Sequence, residues 1–184
     1  MKRSKITILL AIVLGMTFHS CLDLEPQDQL GGKNMWTSVN DYKQFANTFY
    51  SWTRDFSSVV YDGTHSDKRS DLITYQSYNE FSRGINSIPS SDANYTDNYK
   101  HIRRTNLLLQ NAEAYAKPED IKQYIGEAYF FRAYSYFDLL QLYGDVIITK
   151  KPLDITDPEM KVKRNDRSEV VDLIIDDLNH AVEN

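Results

Sequence analysis

Few residues of this chain have the types and spacing that covalent chemistry needs. His65 lies in the acidic stretch Asp62-Gly63-Thr64-His65-Ser66-Asp67, but that spacing matches neither a calcium loop nor a zinc site. Of the four histidines, His19 sits at the end of an N-terminal apolar leader, and His65, His101 and His180 have no cysteine or serine beside them in a catalytic pattern. No glycine-rich loop suited to cradling phosphate occurs. Acids are plentiful, yet no two stand out as the paired carboxylates that glycoside hydrolysis sets across a cleft. The residues thus predict no catalytic group, no bound metal and no cofactor.

Two features point instead to attachment and binding. Lys2, Arg3 and Lys5 precede the apolar run from Ile6 to Met16, which is too short to span a bilayer and reads as a secretory signal over residues 1–20. Cys21, the single cysteine, follows Ser20 directly. That arrangement resembles a bacterial lipoprotein cleavage site, in which the thiol is acylated and becomes the new N-terminus. An N-terminal anchor helix and an incidental buried cysteine are the alternatives. The second feature is the stretch 61–98, rich in Ser, Asp and Asn, where Tyr61, Tyr75, Tyr78, Phe81 and Tyr95 could supply stacking rings for a sugar. An ordinary packed surface loop would look the same.

Charge narrows the partners. The chain carries 21 Lys and Arg against 26 Asp and Glu, a net charge of −5. Residues 1–20 hold three cations and no acid, so their removal leaves a net charge of −8. Neither nucleic acid nor an anionic lipid surface fits that balance. Membrane attachment would therefore come from acyl chains and not from charge.

The elements that would position these groups are helical. Residues 21–36, with Pro26 and Gly31-Gly32, read as a tether, and an ordered body is expected over 37–184. Ser38 and Asp41 make a cap-like start to a first helix with Tyr42, Phe45, Ala46 and Phe49 on one face. The stretch 61–98 reads as a long irregular loop. A second helix is expected over 95–116, with Tyr95, Tyr99, Ile102, Asn106, Leu109 and Ala112 on one side and the pair Arg103-Arg104 on a solvated or ion-paired face. A third is expected over 118–143, ended by Gly144. From Ala128 to Tyr143 only Arg132, Ser135, Asp138 and Gln141 are polar, so this helix should be buried between several partners, with Arg132 and Asp138 in structural ion pairs. An extended exit, Val146 to Asp154, leads to a last helix opened by Asp166 and Glu169, with Val171, Ile174, Ile175, Leu178, Ala181 and Val182 as its apolar stripe. Ending on Asn184 with no C-cap glycine, that helix reads as a cut through a larger architecture.

Three segments carry a family resemblance: "YKHIRRTNLLLQN", "GEAYFFRAYSYFDLLQLYGDV" and "RSEVVDLIIDDLNHAVEN". In this order they resemble the N-terminal part of SusD/RagB-type nutrient-uptake lipoproteins. The matching positions are Ile102, Arg103, Arg104 and Asn106, then Glu127, Ala128, Phe130, Arg132, Ala133, Tyr136, Phe137 and Leu139, then Tyr143, Gly144, Asp145 and Val146. Thr105, Gly126 and Ile147 depart mildly from the pattern. The resemblance implies an all-α fold of tetratricopeptide-like repeats with long irregular loops, here the truncated N-terminal part of a larger SusD-like fold. It implies a surface-exposed, lipid-anchored outer-membrane protein that binds oligosaccharide, does no bond chemistry and delivers its ligand to a SusC-like TonB-dependent transporter. It carries over no glycan-binding residue. A helical scaffold docking a protein without sugar, or a fragment without function, are the other readings.

Overall fold

The structure, a computed structural model, describes residues 35–54, 84–85, 87–154 and 156–184. Residues 35–184 form one compact unit. Cys21, His65, Tyr61, Tyr75, Tyr78 and Phe81 lie outside the described residues. Those described fold into four α-helices and three short 3-10 turns, with no strand among them: the all-α expectation holds.

Helix α1, Val39–Asn47, continues into a 3-10 turn, Thr48–Trp52. Its start is local chemistry. Asp41 Oδ2 accepts the Ser38 amide at 2.8 Å, closing a capping box that satisfies amides with no partner inside the helix. Helix α2, Ala93–Glu113, begins earlier than its apolar period suggested, because Asp92 caps it by accepting the Asn94 amide at 2.9 Å. Residues 93–98 are thus helical and not loop. Pro118–Ile121 is a 3-10 turn, so α3 runs over Lys122–Tyr143 alone. Gly144 ends it with φ of 72°, a left-handed conformation that glycine adopts without strain. Helix α4, Arg167–Glu183, opens on the expected capping box of Asp166 and Glu169.

Helix α3 is the axis of the fold, with α1, α2 and α4 packed around it. Two core clusters result. One joins Tyr42 and Phe45 of α1 and Phe49 of the 3-10 turn after it to Leu108, Ala128 and Phe131; the other joins Ile102, Tyr136, Leu139 and Val146 to Val170, Leu173 and Ile174 of α4. The polar interruptions of α3 do not mark its wet side. Arg132, Ser135 and Asp138 are buried, and of the four only Gln141 is exposed, on the same outward face as Phe130 and Phe137.

That inversion has a physical cause. Arg132 sends Nε and Nη2 to the two carboxylate oxygens of Asp177 at 2.8 and 2.6 Å, and Nη1 to Asn106 Oδ1 at 2.7 Å. Burial works against its charge, but the Asp177 hydrogen bonds and charge outweigh it and hold the guanidinium charged. Arg54 pairs with Asp138. Pairing Asp177 with Arg132 also decides which face of α4 turns inward. The buried set is Val170, Leu173, Ile174 and Asp177, so the expected stripe is corrected: Val171, Ile175, Leu178 and Val182 are exposed.

Candidate cleft and its ribbon wall

After Gly144 the chain runs extended along the α2–α3 pair, and this ribbon has no neighbouring strand among the described residues. A backbone bridge joins Val146 to Asn165. Unpaired peptide groups there would be costly, and side chains from three directions take the place of a partner strand. Tyr99 Oη accepts from the Ile147 amide and donates to the Ile147 carbonyl, both at 2.9 Å. Two residues on, Tyr136 Oη does the same for Thr149, at 2.7 and 3.2 Å. Asn165 Oδ1 takes the Ile148 amide at 2.9 Å. Asn106 Nδ2 donates to the carbonyls of Thr149 and Lys151, and Arg103 Nε to that of Leu153 at 3.1 Å. A hydroxyl can serve both halves of a peptide only while protonated. Burial pushes the Tyr99 and Tyr136 hydroxyls well above their usual range and keeps them so.

The ends of the ribbon are fixed as tightly. A β-carbon at Gly144 would stand 2.8 Å from Arg167 Nη2, and Asp145 Oδ1 accepts the Arg167 amide at the start of α4. Most of the residues that carried the family resemblance are therefore framework. Asn106, Arg132, Tyr136, Gly144, Asp145 and Val146 hold helices and ribbon in register.

Between the ribbon and the first half of α2 lies a cleft of ≈ 400 Å³. Alternate ribbon residues Ile147, Thr149, Lys151 and Leu153 form one wall, and Tyr95, Tyr99 and Arg103, one turn apart on α2, form the other. Met160 and Glu159, on the 3-10 turn Pro158–Lys161, close one side. The walls are mostly ring and aliphatic carbon, and the polar groups are paired. Lys151 reaches Glu159 at 2.7 Å, Lys100 reaches Asp97 at 2.8 Å, and Arg103 faces Asp154 at 3.5 Å. A volume of this order fits one or two sugar rings. Apolar walls suit the C–H face of a pyranose, and rim cations with their acids can give and take hydroxyl hydrogen bonds.

The site residues expected from sequence are only partly assembled here. Tyr95 lines the cleft and packs edge-on against Tyr143 at 5.2 Å, which in turn donates to Asp92. Arg103 contributes to the rim, whereas Arg104 turns inward, over the Phe45 ring at 4.7 Å and onto Thr48 Oγ1. The reading of both as one surface pair is corrected by that packing. His101 stacks flat on Trp52 at 4.1 Å, and His180 lies beside Tyr129, Asp176 and Glu183. Neither meets the cleft. Tyr99, Lys100, Lys151, Glu159 and Met160 had no motif to announce them; the only signal was the alternation in Ile147, Thr149, Lys151 and Leu153.

Comparison with known proteins places this geometry. A SusD-like protein of Formosa agariphila is 28% identical over 203 aligned positions, which take in 100% of this chain and 38% of the relative. The crystal structure of a SusD-like protein from Bacteroides fragilis superposes with a TM-score of 0.66 at 25% identity, covering 86% of this chain and 32% of that one. The chain thus spans well under half the length of the relatives it matches. The SusD-like family described as starch-binding and associating with the outer membrane matches residues 22–184. With a family match over nearly its whole length and a helical, tetratricopeptide-like fold shared with a solved member, this chain belongs to the SusD-like family.

Proposed function

We propose that this chain serves nutrient uptake as a non-catalytic, lipid-anchored outer-membrane protein that binds oligosaccharide and passes it to a SusC-like TonB-dependent transporter. The family match over residues 22–184 carries the reading. Cys21 is the acylated residue and residues 21–36 the tether from the membrane to the body at 37–184, which faces the cell surface. The cleft beside α2 is a sugar contact: Tyr95 and Tyr99 offer rings, and Arg103, Lys151 and Glu159 offer directed hydrogen bonds. The test is calorimetric titration of the full chain with maltooligosaccharides, other glucans and host-type glycans. Saturable binding that Tyr99→Ala or Arg103→Ala weakens at least tenfold supports the cleft. Binding that ignores both substitutions moves the sugar elsewhere on the protein, and no binding to any glycan sinks the uptake reading. Separately, Cys21→Ser should abolish fatty-acid labelling and release the chain from the membrane fraction.

A further inference from the structure

The cleft beside α2 carries a sign opposite to that of the chain. Lys100, Arg103 and Lys151 line it, and Glu159 is the one acid among the described residues of that lining. Asp97 and Asp154, which pair with Lys100 and Arg103, do not line it. The bias extends along the sequence. Between positions 150 and 164, which supply the far half of the ribbon and the closing 3-10 turn, Lys150, Lys151, Lys161, Lys163 and Arg164 stand against Asp154, Asp157 and Glu159, in a chain of net charge −5. Lys161, Lys163 and Arg164 are exposed. A basic concavity in an acidic protein draws anions to itself.

The cations are placed to receive one. Arg103 Nε is committed to the Leu153 carbonyl at 3.1 Å, which fixes the guanidinium plane against the ribbon. Its Nη2 reaches Asp154 only at 3.5 Å, and the two side chains are 52% and 80% exposed. A solvated pair of that length contributes little, so an incoming carboxylate can take its place at small cost and gain the forked geometry a guanidinium offers. Lys151 holds Glu159 at 2.7 Å with one of its three ammonium hydrogens. Positive charge thus comes from both walls, Lys100 and Arg103 from α2 and Lys151 from the ribbon. A small free anion would leave the rings of Tyr95 and Tyr99 uncovered, whereas a sugar ring that bears the anion covers them.

We propose that this cleft selects an acidic oligosaccharide, one whose pyranose rings carry a carboxylate, with the ring on Tyr95 and Tyr99 and the carboxylate received by Arg103 and Lys151. The inference rests on the reading of the cleft as a sugar contact and names the class of sugar. It is tested by calorimetric titration of the full chain with oligogalacturonate, oligomannuronate and oligoglucuronate, each beside its carboxyl-reduced, neutral twin. At least one acid should bind saturably and about tenfold or more tighter than its twin, the scale of a hydrogen bond between charged groups. The preference should shrink as sodium chloride is raised, because these charges are exposed. Lys151→Gln, at a side chain that is 55% exposed, should narrow the preference severalfold with the melting temperature unchanged, and adding Arg103→Gln should bring the twins close to equal affinity. Neutral twins or glucans that bind the wild-type chain as tightly as the acids overturn the proposal and leave the sugar reading standing. A preference that survives the double substitution overturns it as well, by placing the carboxylate elsewhere. If no glycan of either kind binds, the sugar reading itself fails and takes this inference with it.

Discussion

The cleft beside α2 and the groove between α3 and α4 are of similar size, ≈ 400 and ≈ 510 Å³, and they differ in their polar groups. In the cleft, Lys151, Lys100 and Arg103 each have an acid, and the ribbon's peptides have hydroxyl and amide partners. In the groove the lining is mostly apolar, with Phe130, Leu178 and Val182 exposed. A small hydroxylated ligand exchanges one set of hydrogen bonds for another and can leave again, which suits a surface already satisfied.

The comparison can be broken first where both cavities share a support. Arg132 is held by Asp177 of α4 and by Asn106, which in turn holds the ribbon. Arg132→Ala strands a buried carboxylate and should lower stability by about 3–5 kcal/mol, read as a fall in the denaturation midpoint. An unchanged midpoint would mean that the two helices are held together without this pair. Tyr136→Phe touches the cleft alone. It leaves the Thr149 amide unpaired and should cost about 1–3 kcal/mol, with faster hydrogen exchange at residues 147–151 and none of that effect at α4. Ile175→Lys touches only the exposed stripe of α4. Its effect on stability should stay within about 0.5 kcal/mol, because 53% of Ile175 is already exposed.

The smallest effect comes from pH and lies at neither cavity. His101 is held below its ordinary value of 6.5, first by burial against Trp52 and also by the nearby Arg104 and Lys100, with Asp97 opposing. The folded state therefore binds that proton less readily than the unfolded chain. Stability from this source is complete above about pH 6.5 and declines as pH falls below it, until the folded histidine also protonates. A denaturation series between pH 5 and 7 should show that slope in the wild type and a flatter one in His101→Gln. Equal slopes would place the titrating group elsewhere.

What sequence could reveal tracks how local each feature is. Ser38 with Asp41, Asp166 with Glu169, and Gly144 are caps set within a few residues, and all three read true. Asp92 is equally local, but the polar run before it masked the start of α2. The phase of α4 was not local. Val170, Leu173 and Ile174 fit a helical period as well as Val171, Ile175, Leu178 and Val182 do. What separates the two sets is Asp177, drawn inward by an arginine 45 residues earlier. Arg132 and Asp138 were legible as buried ions because a long apolar helix leaves charges few other places. The cleft was not legible, since it pairs α2 with a ribbon some 48 residues further along, and nothing in either segment names the other.

The ribbon also bears on how the lining of the cleft can change. A wall built on a partner strand is held by backbone, so a substitution that disturbs one strand is felt through the ladder to the next. Here the peptides between Val146 and Lys151 are gripped by Tyr99, Tyr136, Asn106 and Asn165, all of which lie outside the ribbon itself. Thr149 and Lys151 take part in that grip through their main-chain atoms and also line the cleft. Those positions can be exchanged for other residues while the frame stays put. Selection, or a designer, is thus offered a wall whose lettering can be rewritten without recasting the plate.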